Sequence, residues 1–140
     1  MKYSWFKSNT FHPNYRSDKS GYILILGSHT ANIIPITLGI LLKLPLWYIL
    51  IMVAQMIFSF LYHAYSKNNW LRLIDWLLAT SLIISNAIIF FSHNWSYSKL
   101  LIIVLLIIIS FKYFLSFKKY AYNHSIWHIC AAAITSIVEL

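Results

Sequence analysis

The sequence predicts an all-α protein, a polytopic bundle of five transmembrane helices. Two observations carry this. The 140 residues are 60% hydrophobic and only 10% charged, where a soluble domain carries about a quarter charged residues. The apolar residues also collect into five runs, each about 18 residues or longer, the length that crosses a bilayer as a helix. A mean hydropathy of +0.68 agrees. The chain divides into an N-terminal interfacial segment, residues 1–20, and one transmembrane helical domain, residues 21–140.

The first run spans about 22 to 42 and is ended by Lys43 and Pro45. Pro35 and Gly39 lie inside it and predict a kink. The second spans about 46 to 65 and stops at Ser66-Lys67-Asn68-Asn69. The third spans about 71 to 91 and stops at Ser92-His93-Asn94. The fourth spans about 99 to 117 and stops at Lys118-Lys119, and the fifth spans about 120 to 138. Before them, Trp5, Phe6, Phe11 and Tyr15 alternate with Lys2, Lys7, Arg16 and Lys19, a composition suited to a membrane–water interface.

The net charge of +8 does not point to nucleic acid, because the basic residues form no stripe on one face. They sit between the apolar runs and orient the chain. With five spans, Lys2, Lys7, Arg16, Lys19, Lys67, Arg72, Lys118 and Lys119 fall on the N-terminal side. Lys43 and Lys99 fall on the other. The positive-inside rule places the N-terminus in the cytoplasm, the C-terminus opposite, and anionic lipid headgroups against the basic face. The single cysteine, Cys130, excludes an internal disulfide. The first apolar run is too long for the core of a cleaved signal peptide.

Ionisable groups within membrane spans are expensive and mark functional sites. His63 lies near the end of the second helix, and Asp75 lies about one turn into the third. His124 and His128 occupy the first two turns of the fifth. The alternating directions of the helices bring all four to the N-terminal side, in a layer roughly 5–12 Å inside the boundary at about 1.5 Å per residue. His124 and His128 are i and i+4, so both rings project from one face. Ser59 stands one turn deeper than His63. Three imidazoles form a common catalytic zinc set, and Asp75 is placed to act as general base or to orient a ligand histidine. The plainer alternatives are an interhelical hydrogen bond for each histidine and a salt bridge to Arg72 for Asp75. Ser28, His29, Thr30 and Asn32 of the first helix are expected to line a cavity or pack against a neighbour, with His29 a candidate fourth ligand. Cys130, Trp127 and Tyr122 read as packing or interfacial residues.

The run Phe58-Ser59-Phe60-Leu61-Tyr62-His63 resembles the serine-x-x-x-histidine motif of the CREST superfamily, which includes alkaline ceramidases and the progestin and adipoQ receptors. Leu73-Ile74-Asp75 resembles its aspartate motif, and His124-Ser125-Ile126-Trp127-His128 resembles its final-helix histidine-x-x-x-histidine motif. Together they cover the second, third and fifth helices. The resemblance implies zinc held by His63, His124 and His128, with Asp75 at the zinc water and Ser59 positioned to polarise a substrate carbonyl. It also implies hydrolysis of an amide or ester bond in a membrane lipid, such as ceramide. The departure is length. The family core usually has three helices between the aspartate helix and the histidine-pair helix, and here there is one. Losing two preserves the direction of the last helix. The substrate chamber is then smaller and open to lipid, unless a homo-oligomer closes it. No acidic cluster near the N-terminus matches the calcium site of some ceramidases. Two other functions fit the same residues: a structural zinc or polar staple without catalysis, and a b-type haem held by facing histidines.

Overall fold

The computed structural model describes residues 19–65, 69–92, 96–114 and 120–140. They form α1 (Lys19–Ser28), a 3-10 turn (His29–Asn32), α2 (Ile33–Leu41), α3 (Leu46–Ala64), α4 (Asn69–Ser92), α5 (Tyr97–Phe114) and α6 (Tyr120–Glu139), and no strand occurs among the described residues. α1, the turn and α2 make one interrupted span, so the fold is the expected five-helix all-α bundle. The N-terminal segment with Trp5, Phe6, Phe11, His12 and Tyr15, and also His93, lie outside the described residues.

The first span breaks at His29–Asn32, before Pro35 rather than at it. Pro35 has no N–H to offer the carbonyl of Ala31, four residues back, so the preceding turn tightens into 3-10 geometry. Polar side chains reinforce the break by bonding back to the chain. Ser28 Oγ donates to the Ile25 carbonyl at 2.7 Å, and Thr30 Oγ1 to that of Gly27 at 2.7 Å. α2 ends in a Schellman motif. Lys43 takes the left-handed conformation (φ 55°), the Leu44 N–H reaches the Gly39 carbonyl at 2.9 Å, and the Lys43 N–H reaches that of Ile40 at 3.1 Å. Pro45 then starts α3.

The first span, α3, α4 and α6 form a ring, and α5 packs outside it against α6. Three helical segments, Ile23–Leu41, Leu46–Ala64 and Asn69–Ser92, are long and apolar enough to cross a membrane; α5 contributes a shorter apolar stretch, Tyr97–Ser110. α6 has 20 residues but carries Asn123, His124, Ser125, His128, Thr135 and Glu139. It tolerates them because the first span, α4 and α5 all pack on it. The surface is apolar, with Trp76, Leu77, Ile83 and Phe91 of α4 and Leu101 and Ile108 of α5 exposed. Polar groups are turned inward, as a lipid environment demands.

Contacts fix the helix directions. His29 and Gly39 of the first span lie by His128 and Glu139 of α6, so the two run parallel. Gln55 and Tyr48, in descending order along α3, meet Asp75 and Asn86 in ascending order along α4, so those two are antiparallel. The histidine layer therefore lies at one end of the ring. At the other end an apolar cluster of Leu44, Tyr48, Met52, Ile89, Phe90 and Val138 surrounds a polar staple. There Tyr48 donates to Asn86 Oδ1 at 2.7 Å, and Asn86 Nδ2 donates to Thr135 Oγ1 at 3.0 Å, tying α3, α4 and α6 together. Replacing Tyr48 with Phe should cost about 0.6–1.7 kcal/mol, the range of buried interhelical hydrogen bonds. Reversible unfolding in detergent measures this, and an unchanged stability would show that the staple is idle. A Cβ at Gly39 would sit 3.1 Å from Met52 Cε and 3.5 Å from Glu139 Oε1, so glycine permits the close approach of α2 to α3 and α6.

Candidate metal centre

A polar stripe on α3 begins the site. Gln55, Ser59 and His63 are spaced four apart, so all three face the ring interior, where Ser59 and His63 are 3% and 1% exposed. α4 adds Asp75, and α6 adds His124 and His128 from its first turns. The 3-10 turn of the first span adds His29, 2% exposed. The shared layer expected for His63, Asp75, His124 and His128 is present, with Ser59 in it.

The four imidazoles touch. Ring centroids are 4.1 Å apart for His29–His128, 4.6 Å for His63–His124, and 4.7 Å for His124–His128. They are 5.3 Å apart for both His29–His63 and His63–His128. His63 Nε2 and His124 Nε2 are 3.0 Å apart. One ring nitrogen from each of His29, His63 and His128 lies within 4.8 Å of the other two. Nitrogens around a tetrahedral zinc sit about 3.3 Å from one another at the usual bond length, so modest ring rotations close the set. His128 Nε2 is buried with no hydrogen-bond partner. Such an orphaned nitrogen is costly in an interior, and a metal ion satisfies it. An all-imidazole set suits zinc, copper, iron or nickel. The residues present thus fit a metal ion without naming which one.

A second chain of contacts reaches the carboxylate. Gln55 Nε2 donates to Asp75 Oδ1 at 3.0 Å, and Ser59 stands one turn further along the same face of α3. Ser59 Oγ lies 3.1 Å from His29 Nε2. The polar face of α3 therefore carries the carboxylate contact at Gln55 and the imidazole contact at Ser59 on successive turns. On its other side His29 Nδ1 lies 2.8 Å from the Ile25 carbonyl. A carbonyl only accepts, so Nδ1 carries the proton and Nε2 accepts from the Ser59 hydroxyl.

His29 is thus central, not peripheral. The depth count that located the other groups also locates it, since it lies about as far into the first span as His128 lies into α6. Gln55 was legible in the same way, as the residue one turn before Ser59. Cys130 is buried, while Tyr122 is exposed, as packing and interfacial roles require. Compared with protein-family models, curated proteins and solved structures, the chain has no match.

Proposed function

We propose that the protein is a zinc-dependent intramembrane hydrolase that cleaves an amide or ester bond of a membrane lipid, in the manner of a ceramidase. One observation carries the reading: a buried imidazole cluster and a carboxylate are held by successive turns of the same polar face of α3, through Ser59 and Gln55, near one end of the bundle. The resemblance to the CREST superfamily motifs, which rests on these same residues, supports it. His63 and His128 hold the metal with a third histidine. When bound, zinc supplies Lewis acidity towards water and a substrate carbonyl, without redox chemistry. Asp75 takes a proton from the attacking water as general base. Gln55 orients it. Ser59 offers a donor towards the oxygen on which charge develops. A site near the end of the bundle suits a substrate whose tails remain in lipid while its polar linkage reaches the layer. The excess of basic residues on the N-terminal side supports a cytoplasmic position for this layer, beside anionic headgroups.

The assay is release of fatty acid from ceramides, phospholipids and lysolipids by zinc-loaded protein. Changing Ser59 to Ala should lower the rate about 10–10³-fold, less than loss of a sole oxyanion donor, because the metal shares that role. A rate equal to wild type would remove Ser59 from the chemistry.

The number of imidazoles favours one second reading. Four histidines can close a zinc coordination shell, which is the mark of a structural site. Folded, zinc-loaded protein inactive on all three lipid classes would support it.

A further inference from the structure

We propose that the third metal ligand is His29, and that His124 is a positioning residue that holds His63 from outside the coordination shell. The proposal rests on the metal-centre reading above and assigns each histidine its atom.

A ligand imidazole binds through one nitrogen, while a hydrogen bond at the other fixes its tautomer and orientation. His29 meets both conditions. Its Nδ1–H is held by the Ile25 carbonyl at 2.8 Å, and its Nε2 accepts from the Ser59 hydroxyl at 3.1 Å, a single contact that a bound metal would replace. That carbonyl lies at i−4, one turn before the 3-10 segment that carries the ring. His63 meets them in the opposite sense. Its Nε2 makes the 3.0 Å contact with His124 Nε2. Two neutral rings share one proton there, so that nitrogen is occupied and Nδ1 is the one for the metal. His128 contributes Nε2, buried and without a hydrogen-bond partner.

The three assigned residues come from three separate elements, the first span, α3 and α6, and enclose one point in the ring interior. Among the described residues, these are the three whose nitrogens lie within 4.8 Å of one another, and all three are buried. His124 is only half-buried, one turn nearer the start of α6. It stands behind His63 as the Ile25 carbonyl stands behind His29. The i,i+4 histidine pair of α6 is therefore one ligand and one support, not a chelating pair.

The test uses the full chain with zinc or cobalt alone. Zinc affinity is measured by competition with a chelator, and cobalt absorption bands report the ligand set. His29→Ala should weaken zinc binding on the order of 100-fold or more and alter the cobalt bands. Free imidazole added to His29→Gly should restore the bands, a result that a misfolded variant cannot give. His124→Ala should cost about 10–100-fold, as loss of an outer partner does, with the cobalt bands unchanged. His124→Gln, whose amide oxygen can accept from His63 Nε2–H, should recover affinity to within about tenfold of wild type. The proposal is overturned if His124→Gln loses zinc as completely as His63→Ala, or if His29→Ala keeps wild-type affinity and bands. Wild-type protein that takes up neither metal overturns the metal centre itself, a result distinct from either of these.

Discussion

Replacing Asp75 with Asn should lower the hydrolytic rate about 10²–10⁴-fold, the scale of losing a general base. Metal content and melting temperature should barely move. The substitution is nearly isosteric. The introduced side-chain amide keeps an oxygen for the Gln55 amide, which now lies 3.0 Å from the Asp75 carboxylate. It loses the capacity to take a proton from water. Fatty-acid release by the zinc-loaded variant, set beside its zinc content, reads both halves of the expectation. If Asp75→Asn hydrolysed lipid like wild type, the carboxylate would be a helix staple and the base would have to be sought elsewhere.

The second large effect concerns stability. His63→Ala and His128→Ala should each abolish stoichiometric zinc, since both belong to every ligand set the geometry allows. Metal that binds only the folded chain stabilises it, by about 4 kcal/mol when free zinc is a thousand times the dissociation constant. Both variants should therefore melt well below wild type in the presence of zinc. A chelator should bring wild type down towards them and leave the variants unchanged. A chelator-insensitive wild type would separate the fold from any metal.

Much of this arrangement was legible in the sequence, and the limits have physical causes. Helix positions were legible because lipid imposes long apolar runs, and charged or proline-containing breaks end them: α3 begins at Leu46 after Pro45, and α6 at Tyr120 after Lys119. The shared layer was legible because alternating helix directions turn a count along the chain into a depth. The aim of a side chain is not contained in such a count. Pro35 predicts a kink, and its actual effect is felt at Ala31, where the missing hydrogen bond falls; the resulting 3-10 turn carries His29, which is buried against the other rings. His124 and His128 share a helix face as their spacing predicts, yet they differ in burial and in partners. Only the opposing helices decide that. The polarity of α6 lowers its hydropathy for the same reason, because its neighbours rather than lipid cover it.

The metal content of the purified protein tests the central claim most directly. Elemental analysis of wild type prepared without added chelator should find one zinc per chain, and the same analysis of His63→Ala should find none. Wild-type protein that is folded and monodisperse but holds no zinc, and takes none up on addition, would contradict the account.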